Sequence, residues 1–121
     1  MPKSLKKLRS NRAWIERHIN DPFVKKSRRE GYRARSVYKL TELDDTEHLF
    51  RPGMNVADLG SAPGSWTQIV RERLTDKNGE LKGRIIAMDI LPMEPIDGVT
   101  FLKPGDGIVC MLPLAHMYGL I

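Results

Sequence analysis

The sequence predicts an α/β protein with a Rossmann-like parallel sheet, and three observations support this prediction. A short segment, Val56 to Leu59, is apolar except for Asp58 and ends in a turn of small residues, Gly60 to Gly64. A helical pattern begins after this turn at Ser65, and a second apolar run, Ile85 to Met88, follows it and ends at Asp89. This order of strand, small-residue turn, helix and strand is typical of doubly wound sheets, whose ligands bind at the carboxyl ends of the strands.

The first 20 residues are predicted to combine an arm with a short helix. Residues 1–10 are rich in Lys, Arg and Ser and poor in apolar residues, which favours a flexible arm. Asn11 is a favourable N-cap, so we expect a helix that begins there and carries Trp14. The pair Asp21-Pro22 ends this helix.

Two further helices are expected before the first strand. A basic helix is predicted from about Pro22 to Glu30, because proline suits a first helical turn and Gly31 follows as a stop signal. Apolar residues recur at helical spacing from Ser36 to Leu43, which predicts another helix, packed by one face on the domain and ending at Asp44-Asp45. Lys39 lies within this helix.

The remaining elements complete the βαβ unit. A strand is predicted over Met54 to Asp58, and the helix after the small-residue turn from about Ser65 to Leu74. The second strand is predicted over Arg84 to Ile90, and its apolar run from Ile85 to Met88 is typical of a parallel strand covered on both faces. A third strand is predicted over Val99 to Leu102. Three apolar residues of the helix are expected to face inward: Ile69, Val70 and Leu74.

The residues after Asp106 do not continue this pattern. The stretch from Gly107 to Ile121 is apolar, contains no Asp, Glu, Lys or Arg, and has no clear period. A complete doubly wound sheet has five or more strands, so we expect this sheet to be truncated after about three, with an unpaired edge. We divide the chain into a basic helical segment packed on the domain (1–45), a partial domain (46–106) and an atypical apolar tail (107–121).

Composition limits the classes of function. A chain of 121 residues suits one domain. No run approaches the roughly 18 apolar residues of a membrane span, and the basic N-terminus lacks the apolar core of a secretory signal, so we expect a cytoplasmic location. The single cysteine, Cys110, and three histidines without ligand-like spacing give no expectation of a metal site.

Charge is strongly asymmetric along the chain. Residues 1–39 hold 13 Lys or Arg and 3 acids, whereas residues 40–121 hold 7 and 12. Aromatic residues such as Trp14, Phe23 and Tyr32 are interleaved with the cations, which suits phosphate neutralisation beside stacking on unpaired bases. A polyanionic partner is one interpretation of this segment, and a solvated basic surface without a specific partner is the other.

Two carboxylates are expected near the small-residue turn in the folded sheet. Asp89 ends the second strand, 25 residues beyond Gly64, where nucleotide-binding sheets place the acid that accepts hydrogen bonds from ribose hydroxyls. Asp58 precedes the turn, where it would repel a pyrophosphate but suit a cationic or zwitterionic ligand. Asp58 therefore favours S-adenosylmethionine over NAD. The alternative is an ordinary strand-to-helix turn beside a surface acid.

Three further residues each have two interpretations. Trp66, in the first turn of the helix, either stacks near the ligand or serves packing alone. Asp106 either meets an adenine amino group or belongs to a Pro-Gly-Asp-Gly turn. Lys39 is either one of many solvated lysines or a group that removes or organises the proton of a hydroxyl that accepts a methyl group.

Two motifs are specific in combination: the turn Ala62-Pro63-Gly64-Ser65-Trp66 and the strand end Asp89-Ile90-Leu91-Pro92-Met93. With them, the chain resembles the FtsJ-type (RrmJ, RlmE) ribosomal RNA large-subunit 2'-O-ribose methyltransferases over roughly residues 11–106. Further matching segments are Arg12-Ala13-Trp14, Asp21 to Lys26, Gly31 to Leu40, Phe50 to Met54 and Gly83 to Pro95.

The resemblance implies a Rossmann-like S-adenosylmethionine-dependent methyltransferase fold, and 2'-O-methylation of uridine in large-subunit ribosomal RNA as the activity. It places Gly64, Trp66, Asp89 and Asp106 at S-adenosylmethionine-binding positions, and Lys39 at the first lysine of a Lys-Asp-Lys-Glu catalytic tetrad. The other three members of the family's tetrad have no counterpart in this chain. The basic segment would contact ribosomal RNA and recognise the shape and the 2'-hydroxyl groups of that RNA.

Three hypotheses follow from these residues. The first is an RNA 2'-O-methyltransferase, with most of the catalytic tetrad absent from this chain. The second is a non-catalytic RNA-binding module, or an inactive fragment, with a vestigial cofactor pocket. The third, an NAD-type enzyme, is disfavoured by the chemistry of the segment from Asp58 to Trp66. A truncated or frame-shifted product, or a fragment of a longer chain, would explain the unmatched tail.

Overall fold

The chain forms four helices and a three-stranded sheet over residues 3–106, the part that the computed structural model describes, with side-chain surroundings described from residue 11. Residues 107–121, for which an atypical apolar tail is predicted, lie outside the described residues. In chain order the elements are α1 (Lys3–Asn20), α2 (Pro22–Glu30), α3 (Val37–Glu47), β1 (Asn55–Leu59), α4 (Ser65–Leu74), β2 (Arg84–Met88) and β3 (Val99–Leu102).

The sheet is parallel, with the strand order β1-β2-β3. Asn55 is in register with Arg84, and Ile85 with Val99, so the carboxyl ends of all three strands lie at the same edge. The predicted parallel sheet is confirmed. The second strand ends at Met88 rather than at the predicted Ile90, because the backbone leaves the sheet where Asp89 turns to bind neighbouring loops.

The core lies between the sheet and two helices, and its buried residues form one cluster: Val37, Leu40, Ile69, Val70, Leu74 and Ile85. The inward orientation predicted for the α4 residues is confirmed, since Ile69 and Leu74 are fully buried and Val70 nearly so. On the opposite face of the sheet, Met88 packs with Ile86 and Leu102, which remain half-buried. The prediction that both faces of the sheet are covered is therefore only partly met within the described residues.

The N-terminal prediction is wrong in one respect. Residues 3–10 do not form a flexible arm, because α1 runs without interruption from Lys3 to Asn20 and Asn11 lies in its interior. This stretch contains no glycine or proline and is rich in Lys, Arg and Leu, which are strong helix formers. The end of the helix before Asp21-Pro22 is as predicted.

Helix α2 has the predicted bounds, and both ends are capped. The Asp21 carboxylate accepts hydrogen bonds from the backbone N–H groups of Phe23 (2.8 Å) and Val24 (3.3 Å). Gly31 closes the helix at φ +82°, where its N–H donates to the Arg28 carbonyl. A glycine stops the helix here because the left-handed conformation is strained for other residues.

Helix α3 does not end at Asp44-Asp45 as predicted but continues to Glu47. The cause is that Asp44 turns inward: it is 5% exposed, accepts a hydrogen bond from the Phe50 N–H (3.0 Å) and pairs with Arg73 at 3.3 Å. An acid that is itself buried and paired belongs to the packing of a helix rather than to a terminal turn. None of the helices within residues 3–106 is both long and apolar enough to cross a bilayer.

Candidate cofactor site

The turn after β1 is tied to the end of β2 by backbone hydrogen bonds. The N–H groups of Gly60 and Ser61 both donate to the Met88 carbonyl, at 2.7 and 3.0 Å. Gly60 and Gly64 have φ values of +75° and +108°, which favour glycine at both positions. The turn thus crosses the carboxyl ends of β1 and β2, the place where open α/β sheets bind ligands.

Asp89 connects the loops that follow these two strands. Its carboxylate is 5% exposed; one oxygen accepts the Ala62 N–H at 2.8 Å and the other accepts the Leu91 N–H at 2.9 Å. Each carboxylate oxygen has further lone-pair capacity, so these two bonds leave room for a hydroxyl donor. Asp89 therefore fixes both loops while remaining able to bind a ligand.

Asp58 is the second carboxylate of the site. Its Oδ2 accepts a hydrogen bond from Thr67 Oγ1 at 2.6 Å. Burial raises the pKa of Asp58 above its ordinary value, the hydrogen bond from Thr67 opposes this rise, and the negative charge of Asp89 adds to it. Two neighbouring carboxylates in a poorly solvated place make the site attractive to a cation.

Ser61 supplies a polar atom without a partner. The residue is 5% exposed, and its Oγ has no hydrogen-bond partner among the residues that the structure describes. A buried hydroxyl in this condition costs free energy unless a ligand or water satisfies it. Together with the acids Asp58 and Asp89, this hydroxyl fits a ligand that carries both positive charge and hydrogen-bonding groups.

Trp66 links the turn to α3. Its indole N–H donates to the Ser36 carbonyl at 3.0 Å, and the hydroxyls of Ser36 and Ser65 lie 2.8 Å apart. The ring is 40% exposed and borders a largely apolar cavity of about 740 Å³ that extends along β1 to Leu40 and Phe50. Trp66 thus serves packing between two elements and keeps an open surface.

The remaining two predicted residues lie at the margins of this site. Lys39 is exposed on α3, one helical turn after Ser36, and its side chain has no ion pair or hydrogen bond within residues 11–106. Asp106 is exposed after β3, where its carboxylate accepts the Lys103 N–H at 2.8 Å. The structure thus brings Asp89 and the turn around Gly64 together, whereas the bond described for Asp106 closes a local turn.

Four residues that contribute polar atoms to the site and its surroundings were not identified from the sequence: Arg33, Ser61, Thr67 and Gln68. Arg33 binds loop carbonyls 30 and more residues away, and it is one of 13 cations in its segment. Thr67 and Gln68 lie on α4, where a helical pattern indicates burial but not hydrogen-bond partners. No local signal in a single sequence distinguishes these residues from their neighbours.

The fold and the acids at the strand ends define a Rossmann-like protein with a candidate site for a nucleotide-type cofactor. The sequence model of the FtsJ-like methyltransferases matches residues 32–107, and the chain belongs to this family. The resemblance noted from the motifs and the predicted methyltransferase fold are both confirmed.

Similar curated proteins are named ribosomal RNA large subunit methyltransferase E. The chain is 55% identical over 109 residues to ribosomal RNA large subunit methyltransferase E of Variovorax paradoxus, covering 88% of this chain and 49% of that protein. It is 58% identical over 93 residues to the protein of that name from Bordetella parapertussis, covering 77% and 44%. The chain therefore spans about half the length of the curated relatives it matches.

A solved structure is also similar. A ribosomal RNA methyltransferase from Plasmodium falciparum matches with a TM-score of 0.56 and 35% sequence identity, covering 71% of this chain and 49% of that one. This level of similarity supports a shared fold over the matched part.

Proposed function

We propose that this chain carries the cofactor site of an S-adenosylmethionine-dependent methyltransferase, which acts on the 2'-hydroxyl of uridine in large-subunit ribosomal RNA. Its relatives bear the name of a ribosomal RNA large subunit methyltransferase, and the chain belongs to the FtsJ-like family. A substrate of this kind also favours a cytoplasmic location for the protein.

The observation that carries the proposal is the double hydrogen bond of the Asp89 carboxylate to Ala62 and Leu91 at the ends of β1 and β2. This arrangement holds an acid where a cofactor ribose would lie, with Asp58 beside it for a positively charged group. S-Adenosylmethionine has a ribose, an ammonium and a sulfonium. We assign Gly64, Trp66, Asp89 and Asp106 to its binding.

Lys39 is the proposed catalytic residue. When bound, the cofactor supplies an electrophilic methyl carbon on its sulfonium sulfur. The ribose 2'-oxygen forms a bond to this carbon as the carbon–sulfur bond breaks, and the 2'-hydroxyl must lose its proton. Lys39 is exposed on α3, the helix joined to the turn by Trp66, and we propose that its amine accepts or orients this proton.

The basic segment is the proposed RNA contact. We assign residues 1–45 to RNA binding and residues 46–106 to the partial methyltransferase domain. Support comes from the 13 cations of residues 1–39 and from α1, whose described residues 11–20 are all exposed. Cations next to exposed aromatic rings such as Trp14 suit phosphates and unpaired bases.

Calorimetry on the full chain tests cofactor binding. We expect one-to-one binding of S-adenosylhomocysteine, competition by S-adenosylmethionine, and no competition by NAD. Methyl transfer is then measured with labelled S-adenosylmethionine and large ribosomal subunits that lack the modification, with Lys39→Ala as the inactive comparison. A chain that binds no S-adenosylhomocysteine would remove the proposal.

A second candidate function is RNA binding without methyl transfer. The observation that favours it is the exposed, cationic surface of α1 and α2, which is independent of the cofactor site. In this case ribosomal RNA binds and dissociates with rising salt, while no labelled methyl group is transferred and no S-adenosylhomocysteine binds.

A further inference from the structure

Arg33 joins two loops that are far apart in the sequence. Its Nη1 donates to the carbonyls of Pro63 (2.9 Å) and Glu94 (2.7 Å), and its Nη2 donates to the Pro95 carbonyl (3.1 Å). One guanidinium thus bonds to the turn that leads into α4 and to the segment that follows β2. Hydrogen bonds from a charged donor are stronger than those from a neutral one.

The backbone of Arg33 is also fixed. Its N–H donates to Gln68 Oε1 at 3.0 Å, and Gln68 Nε2 donates to the Gly31 carbonyl at 3.2 Å. The segment between α2 and α3 is therefore anchored to α4 at the point from which the Arg33 side chain extends. Because the backbone is already fixed, binding three carbonyls costs the rotamer entropy of the side chain but no further backbone entropy.

Gly64 leaves the space that the guanidinium occupies. A Cβ atom at this position would lie 2.7 Å from Arg33 Nη1 and 3.0 Å from Met93 Sδ. Because Gly64 also has φ +108°, the position requires glycine both for its backbone conformation and for the close approach of Arg33. The turn and the arginine are thus matched in shape.

We propose that Arg33 is a positioning residue that fixes the separation of the two loops of the candidate cofactor site. Asp89 joins these loops by accepting hydrogen bonds from the Ala62 and Leu91 amides. Arg33 joins the same loops by donating hydrogen bonds to their backbone carbonyls. That the loops hold a cofactor rests on the function proposed above. The clamp itself is a property of the free protein.

Amide hydrogen exchange on the full chain, without cofactor, tests the clamp. Arg33→Lys keeps the charge but loses the planar fork that reaches three carbonyls. We expect the Ala62 and Leu91 amides to exchange about tenfold faster, with the Ile86 amide in β2 unchanged. The matched control is Arg71→Lys, because Arg71 also donates to a carbonyl of the β2–β3 connection, that of Asp97, at 2.6 Å.

Three results of this experiment are decisive. Faster exchange at Ala62 and Leu91 in Arg33→Lys alone supports the proposal. Unchanged exchange at both amides overturns it, and so does an equal acceleration at Ile86, which would indicate loss of global stability. Gly64→Ala, whose methyl group displaces the guanidinium, is the second variant and is expected to accelerate exchange at the same two amides.

Cofactor affinity separates the clamp from the proposed function. We expect Arg33→Lys to bind S-adenosylhomocysteine about tenfold more weakly than wild type, and Arg71→Lys to bind it equally well. Equal affinity in wild type and Arg33→Lys would overturn the role of Arg33 at the cofactor site. A wild-type chain that binds no S-adenosylhomocysteine refutes the proposed function, whereas the exchange experiment still decides whether Arg33 is a clamp.

Discussion

The indole N–H of Trp66 donates a hydrogen bond to the backbone carbonyl of Ser36, over 3.0 Å. Ser36 stands directly before α3 and Trp66 lies in the first turn of α4, so this bond joins the helix that carries Lys39 to the turn that borders the candidate cofactor site. The Ser36 and Ser65 hydroxyls, 2.8 Å apart, make a second connection between the same elements.

Trp66→Phe removes this bond while keeping an aromatic ring. We expect the free energy of unfolding to fall by about 1 kcal/mol, because the indole hydrogen bond is lost and the Ser36 carbonyl keeps only its second donor, the Leu40 N–H at 3.4 Å. Urea denaturation followed by circular dichroism measures the change without relying on tryptophan fluorescence. Trp14→Phe is the control, since Trp14 is 59% exposed and stacks only on His18 among the described aromatic residues. Equal stability of wild type and Trp66→Phe would contradict the linking role.

Asp89→Asn tests the junction of the two loops. An amide offers one acceptor oxygen, so its NH2 group must face either the Ala62 or the Leu91 N–H. One partly buried donor is left without a partner, and we expect a loss of about 1–3 kcal/mol in unfolding free energy. Asp97→Asn, at a side chain 99% exposed, should change stability by less than about 0.5 kcal/mol. Similar losses in both variants would show that Asp89 does not fix the loops.

The parts of the fold that could be predicted are those decided by local chemistry. The bounds of α4 and β3 are those predicted, because a glycine turn, a helical period and a short apolar run act within a few residues. Asp89 could be located for the same reason, since it follows directly after an apolar strand. The binding roles of Gly64, Trp66, Asp89 and Asp106 and the catalytic role of Lys39 remain predictions.

The parts that could not be predicted depend on distant partners. The true end of α3 follows from the contacts of Asp44 with Phe50 and Arg73, the latter 29 residues away. The Arg33 clamp likewise depends on carbonyls whose positions only the folded sheet determines. A pattern in one sequence reports which face of a helix is buried, but not which polar atoms meet there.

Asp44→Ala tests whether this inward acid stabilises the domain. The substitution leaves the partly buried Phe50 N–H without its acceptor and Arg73 without its buried partner, so we expect a loss of about 2–3 kcal/mol. Asp45→Ala is the matched control: Asp45 also pairs with Arg73, at 3.4 Å, but is 69% exposed. Exposed pairs contribute about 0–1 kcal/mol. Thermal or urea unfolding that ranks the two variants in the opposite order would refute this interpretation.

Asp58→Asn tests the electrostatic character of the site through pH. Burial raises the pKa of Asp58 above 3.8, so ionisation is less favourable in the folded state than in the unfolded chain. The folded state then retains the proton longer, and this residue lowers stability as pH rises from 3.8 through the raised pKa. We expect Asp58→Asn to gain stability relative to wild type over this interval, since its amide oxygen can still accept the Thr67 hydrogen bond.

The measurement compares urea unfolding of the two proteins between about pH 3 and pH 7, so that titrating groups distant from Asp58 cancel in the difference. The difference should be smallest at the acidic end and constant once Asp58 is ionised in the folded wild type. A difference that is flat, or that falls as pH increases, would mean that the Asp58 carboxylate is not penalised by burial, and the site would then lack the poorly solvated negative charge that favours a cationic cofactor.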